Sequence, residues 1–182
     1  YCYKNEAVSP ERLAREACQI EIEQLKNPIG KQDQYASAFG GINYIKFFSD
    51  GSVRIEPILV DESLIKELFN NLLFVYLGQS HDSSSILNDV TKNMSTNLES
   101  LNELKSLTTH LYNSLLKKDI HVYKDILRES WLLKKQTSNM VSNSHIDDLY
   151  DKAINSGAEA GKVLGAGGGG FLLPKSHSKK IK

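Results

Sequence analysis

The chain has 182 residues, 40% of them hydrophobic, and its 22 basic side chains balance 22 acidic ones to a formal charge of zero. Neutrality excludes the broad positive field of a protein that grips nucleic acid through its phosphates, and the apolar share excludes a disordered chain. Two cysteines, Cys2 and Cys18, make neither a metal spacing nor a disulfide framework, which points to a reducing cytoplasm, and no apolar run approaches the ~20 residues of a membrane span.

The opening residues YCYKNEAVSPERL carry no apolar signal core and no initiator Met, so the chain reads as starting in the middle of something. Ser9-Pro10 is a helix start, because the hydroxyl can cap free amides and proline is tolerated in the first turn. Leu13, Ala17 and Ile20, flanked by Ala14, Cys18, Ile22 and Leu25, make a wide apolar stripe on that helix. Asn27-Pro28-Ile29-Gly30 ends it. A short helix is predicted from about Gln32 to Phe39, stopped by Gly40-Gly41.

From Ile42 the pattern turns to strand. INYIKFF and VRIEPI flank Ser49-Asp50-Gly51-Ser52, a hairpin signal because Asp-Gly accepts positive φ. A helix capped by Asp61 is expected over 62–69, and LLFVYLG (72–78) reads as a buried strand. A domain boundary falls between Pro57 and Asn71. Polar QSHDSSS (79–85) is a loop or helix start. Long helices follow over 97–117 and 121–135, and another from Ser144, with Asp147 at the capping-box offset, to Asn155. GKVLGAGGGGFLLP then reads as two short strands around a glycine loop, before the basic tail KSHSKKIK. The pattern is α+β, helices layered on an antiparallel sheet.

Three segments could carry chemistry. Gly165, Gly167 and Gly170 satisfy a dinucleotide spacing, yet a strand rather than a helix follows, and Phe171-Leu172 stand where a P-loop needs Lys and Ser/Thr. What remains is physical: successive glycines let the backbone approach a ligand and aim amides at an anion, the alternative being a plain hairpin turn. In IGKQDQYASAFGG (29–41), Asp33 sits at a helix start, where free amides and the helix dipole favour a carboxylate that could orient or deprotonate a hydroxyl. A helix cap with solvated neighbours is the simpler account on the residues alone. Ser80, His81 and Ser83 follow a strand end and could meet a phosphate or merely form a solvated loop. Trp131 reads as core, and Lys134-Lys135 beside it as a solvated face.

Together GKQDQYASAFGGINYIKF (30–47), YLGQSHDSSSIL (76–87), SWLLKKQTSNMVSN (130–143) and SHIDDLYDKAINSGAEAGKVLGAGGGGFLL (144–173) resemble the later part of a GHMP superfamily sugar kinase, most nearly the D-glycero-D-manno-heptose 7-phosphate kinases. The resemblance implies a GHMP kinase-like α+β fold, with residues 1–60 as the end of the N-terminal domain, 70–174 as the C-terminal domain and 175–182 as a basic tail. It implies phosphorylation of a sugar's anomeric hydroxyl from ATP with magnesium, Asp33 being the catalytic aspartate. Lys31, Gln32, Gln34, Ser80, His81 and Ser83 would lie on the substrate side; relatives often carry Arg where His81 stands. Gly165, Gly167, Gly168, Gly169 and Gly170 would lie near the phosphates. No metal ligand is assigned, because the family's Gly-Leu-x-Ser-Ser-Ala loop and its metal ligands belong upstream of Tyr1. On this reading the chain is a fragment truncated at both ends and inactive alone, with ATP and a sugar phosphate as its partners and neither nucleic acid nor membrane. Another sugar, such as fucose or galactose, and a non-catalytic remnant or interaction module are the alternatives.

Overall fold

In the computed structural model, which describes residues 1–79 and 82–176, the chain divides into two units, Tyr1–Leu59 and Val60–Lys182. In the first, Ser9 Oγ accepts a hydrogen bond from the Arg12 amide at 3.2 Å and Pro10 opens helix α1, Pro10–Cys18. A π-helical stretch, Gln19–Gln24, continues it. The expected apolar stripe is only partly turned inward: Ala14 and Cys18 are buried, whereas Leu13, Ile20 and Leu25 are exposed. The small pair wins because helix α2, Gln32–Phe39, packs against α1, and short side chains allow the helices to approach. Tyr35 closes this core with Ala14 and Cys18, and burial pushes its phenol and the Cys18 thiol upward in pKa.

Gly40 and Gly41 end α2 with φ of +62° and +69°. Strands β1, Asn43–Phe47, and β2, Val53–Pro57, then pair antiparallel, Ile45 opposite Ile55. Asp50 supports the turn by accepting the Ser52 amide at 2.9 Å, and Gly51 takes φ +85°. Phe47 returns edge-on to the Tyr35 ring at 5.9 Å, tying hairpin to helix.

The second unit runs α3 (Glu62–Asn70), β3 (Val75–Tyr76), α4 (Ser83–Lys92), α5 (Leu98–Leu116), α6 (Tyr123–Thr137), α7 (Ser144–Asn155), β4 (Ala158–Val163) and β5 (Phe171–Ser176). The sheet order is β3-β5-β4, antiparallel throughout, with α6 and α7 packed on β4. Leu77, Ile86, Trp131, Val141, Ile146, Val163 and Leu172 form the core. Trp131 is fully buried there, and its indole N–H has no partner among the described residues.

Three expectations are corrected. Residues 72–78 are not a continuous buried strand: only Val75 and Tyr76 are strand, and Leu73, Phe74 and Tyr76 are exposed. Among the described residues β3 pairs with β5 alone, and Pro174 on β5, opposite Leu73, has no amide to donate to the ladder. Asp61 occupies the N-cap of α3 but makes no side-chain cap bond; its carboxylate pairs with Lys118 at 2.5 Å. The cap of α7 is Asn143, accepting the Ile146 amide at 3.0 Å, whereas Asp147 takes Ser142 Oγ at 2.9 Å and Lys135 at 3.3 Å. Among the described residues no helix is long and apolar enough to cross a membrane.

Candidate active site

The first unit places Asp33 one residue inside α2, after Gln32 and the N-cap position Lys31. All three are exposed. No side chain caps this helix, and Asp33 makes no hydrogen bond or ion pair among the described residues. The simpler account, in which Asp33 caps its own helix, therefore lacks its bond. Asp33 lies on an open cleft of about 400 Å³ with Leu13, Ala17, Glu21, Ile29, Gln34, Ser37 and Ala38. Gln34 behaves differently from its neighbours. It is buried, its amide donates to Glu21 at 2.6 Å, and its Oε1 has no partner among the described residues. Glu21, on the π-helical stretch, was not among the residues singled out from the sequence; nothing in its local pattern marks it.

The glycine loop joins β4 to β5 in the second unit, and three separate segments hold it. The Gly168 amide donates to the Val141 carbonyl at 2.7 Å and the Gly170 amide to the Gln79 carbonyl at 2.9 Å. The Gly165 carbonyl accepts from Lys134 Nζ. Gly167 is packed so tightly that an added Cβ would lie 2.7 Å from the Val141 oxygen. The amides of Gly165, Gly167 and Gly169 have no partner among the described residues. Alternate amides are thus anchored inward and the rest left over, which is the arrangement an anion can use.

The Gly170–Gln79 bond brings the loop beside the segment that leads into α4. Ser83, the first residue of that helix, is exposed. Asp82 caps the helix, accepting the Ser84 amide at 3.0 Å and Ser85 Oγ at 2.8 Å. Those bonds, Ser85 foremost, hold its carboxyl below the usual range, and they occupy donors that a phosphate would otherwise use. Ser80 and His81 lie outside the described residues. His145 Nε2 is 3.1 Å from the Leu77 carbonyl, so an imidazole borders the same segment.

Lys134 and Lys135 are not a solvated face. Both are half-buried; Lys135 pairs with Asp147 and lies over the Trp131 ring at 5.8 Å. Burial, reinforced by the charge of Lys162, pushes Lys134 down to about 8, and burial alone lowers Lys162. A lysine in a leucine-rich helix carries no local sign that its ammonium will reach a loop 31 residues later.

The residues suit phosphate better than metal. Among the described residues no group of three or more His, Cys, Asp or Glu side chains could hold a metal ion. Such a group is what magnesium would need from side chains alone, and the described residues do not supply it. The glycine loop, with free amides beside a lysine, does fit a phosphate group.

Residues 111–182 match the family model described as GHMP kinases C terminal. The chain is 31% identical over 163 residues to a D-glycero-alpha-D-manno-heptose 7-phosphate kinase of Campylobacter jejuni, a match covering 88% of this chain and 48% of that protein. It is 30% identical over 174 residues to a bifunctional fucokinase/GDP-fucose pyrophosphorylase of Arabidopsis thaliana, covering 91% of this chain and 16% of that one. A crystal structure of a D-glycero-D-manno-heptose 1-phosphate kinase from Bacteriodes thetaiotaomicron superposes with a TM-score of 0.71 at 27% identity, over 96% of this chain and 47% of that chain. The chain therefore spans half or less of the length of these relatives.

Proposed function

The chain carries a GHMP kinase C-terminal domain and has a GHMP kinase-like α+β fold, and on that premise we propose that the whole protein is an ATP-dependent kinase for the anomeric hydroxyl of a heptose 7-phosphate. The observation that carries this reading is Asp33: an exposed carboxylate without a partner among the described residues, on a cleft large enough for part of a sugar. ATP, when bound, supplies the γ-phosphoryl group. Phosphoryl transfer asks the protein chiefly for alignment and charge stabilisation. Asp33 orients the attacking hydroxyl and takes its proton as the new oxygen–phosphorus bond forms and the bond to the leaving ADP breaks. Gln32, Gln34 and Lys31 serve the substrate side around it, Gln34 lining the same cleft as Asp33 and Glu21. Ser80, His81 and Ser83 serve the sugar, and the amides of Gly165, Gly167 and Gly169, without a partner among the described residues, receive phosphate oxygens, with Gly168 and Gly170 anchoring the loop.

The test uses the protein encoded by the whole reading frame that contains these residues. Incubation with ATP and heptose 7-phosphate should give a product with a second, anomeric phosphate by ³¹P NMR. Asp33→Asn should lower turnover about 10³-fold while leaving ATP affinity, read by calorimetry, largely unchanged. Near-normal turnover in that variant would remove Asp33 from the mechanism. Fucose is the competing substrate, since one relative is named a fucokinase, and galactose is the control sugar. Preference for fucose would replace the heptose assignment; binding of substrates without turnover of any would favour a non-catalytic role.

A further inference from the structure

The half-buried lysines of the second unit fall into two sets. Lys175 binds Glu159 at 2.9 Å, Lys135 binds Asp147 at 3.3 Å, and Lys124 lies 3.9 Å from Glu159. Lys134 and Lys162 have no carboxylate partner among the described residues. A desolvated cation without a counter-charge raises the free energy of the folded state, and two that repel each other raise it further. Burial and that mutual repulsion are what depress Lys134. Lys134 reaches the Gly165 carbonyl from α6, and Lys162 is the half-buried β4 residue three positions before Gly165, so one touches the loop with the unpartnered amides and the other stands on the strand that leads into it.

We propose that Lys134 and Lys162, together with the free amides of the glycine loop, form a binding site for a phosphate-class anion. An ammonium has three donors; Lys134 keeps one on the Gly165 carbonyl and turns the others to the anion, so loop position and anion charge are read by the same side chain. The anion neutralises two cations that the described residues leave without a carboxylate. The proposal rests on the kinase reading only for the source of the phosphate, nucleotide or sugar phosphate.

The experiment is timed acetylation of the 182-residue chain by acetic anhydride at pH 8, mapped by mass spectrometry, with and without inorganic pyrophosphate. Millimolar pyrophosphate should slow modification of Lys134 and Lys162 about tenfold and leave exposed Lys26 and Lys66 unchanged. Unchanged rates at Lys134 and Lys162 would overturn the site. In calorimetry, Lys134→Met and Lys162→Met should each weaken pyrophosphate binding about tenfold, and Lys134→Arg should retain most of it; binding indifferent to both Met variants also refutes the proposal. Should a Met variant fail to fold, protection in the unmodified chain decides alone. Repeating the protection with ADP and with heptose 7-phosphate assigns the anion to nucleotide or sugar, and protection by neither ends the proposal. Turnover is not read anywhere in this test, so a failed anion site leaves the kinase reading standing, and a failed kinase assay leaves a protected Lys134 standing.

Discussion

Gly167→Ala should be the most damaging single-methyl change in the glycine loop. Its added Cβ would sit 2.7 Å from the Val141 oxygen and 3.0 Å from both the Cα and Cγ1 of that residue, and its φ of +106° is one that side chains rarely adopt. The backbone conformation alone costs about 1–3 kcal/mol. Displacing Val141 also breaks the bond from the Gly168 amide, about 1 kcal/mol more, for a total loss of about 2–4 kcal/mol. Gly165→Ala is the control: φ is +67°, nothing lies within 4 Å of its added Cβ, and only a backbone penalty of about 1 kcal/mol applies. Lower entropy of the unfolded chain favours both alanines equally and cancels in the comparison. Trp131, the single tryptophan and fully buried in the core of the second unit, reports the transition by fluorescence in urea. With a slope of about 1–2 kcal/mol per molar urea, the difference of about 1–3 kcal/mol should place the midpoint of Gly167→Ala about 0.5–3 M below that of Gly165→Ala. A gap under about 0.3 M would mean that Val141 yields and the loop is not held by packing.

Two further outcomes are expected. Lys134 binds its proton less tightly when folded, about 8 against 10.5, so from about pH 8 to 10.5 the unfolded chain holds more protons and stability rises with pH. The cost of burying its charge is fully present below pH 8, and Lys134→Met should flatten the rise between pH 8 and 10 in urea titrations; an unchanged slope would remove the burial argument. At α7, Asn143→Ala should cost about 1 kcal/mol by thermal or urea denaturation and Ser144→Ala almost nothing, because only Asn143 accepts a helix amide; the reverse order would restore Ser144 as the cap.

The parts of the fold legible in the sequence are those encoded over a few neighbouring residues. Ser9-Pro10 starts α1, Gly40-Gly41 ends α2, and Asp50-Gly51 turns the first hairpin, each because a cap or a positive φ is a local requirement. The β4–loop–β5 hairpin was legible for the same reason. Leu72 to Gly78 misled because burial of an apolar run depends on how many neighbours its sheet supplies, and among the described residues β3 has one. At the candidate site the glycines and Asp33 stand out by type and spacing. Glu21, Val141 and Lys134 do not, since each acts through a contact with a distant segment: Glu21 on Gln34, Val141 on Gly168, Lys134 on Gly165.

Pro174 has a consequence for how the sheet assembles. β4 and β5 meet through a short connection and can pair early, whereas β3 comes from almost a hundred residues upstream and must select one alignment among several of similar appearance. In the native alignment the missing donor faces Leu73, an exposed residue beyond the ladder of Val75 and Tyr76. A slip of two residues that set Val75 against Pro174 would keep every side chain on its own face, so hydrophobic patterning alone could not reject it. It would, however, move the gap into the middle of the ladder and leave a Val75 carbonyl unanswered. One imino acid on the central strand thereby acts as a register pin, discriminating against a misalignment that the pleat itself would accept.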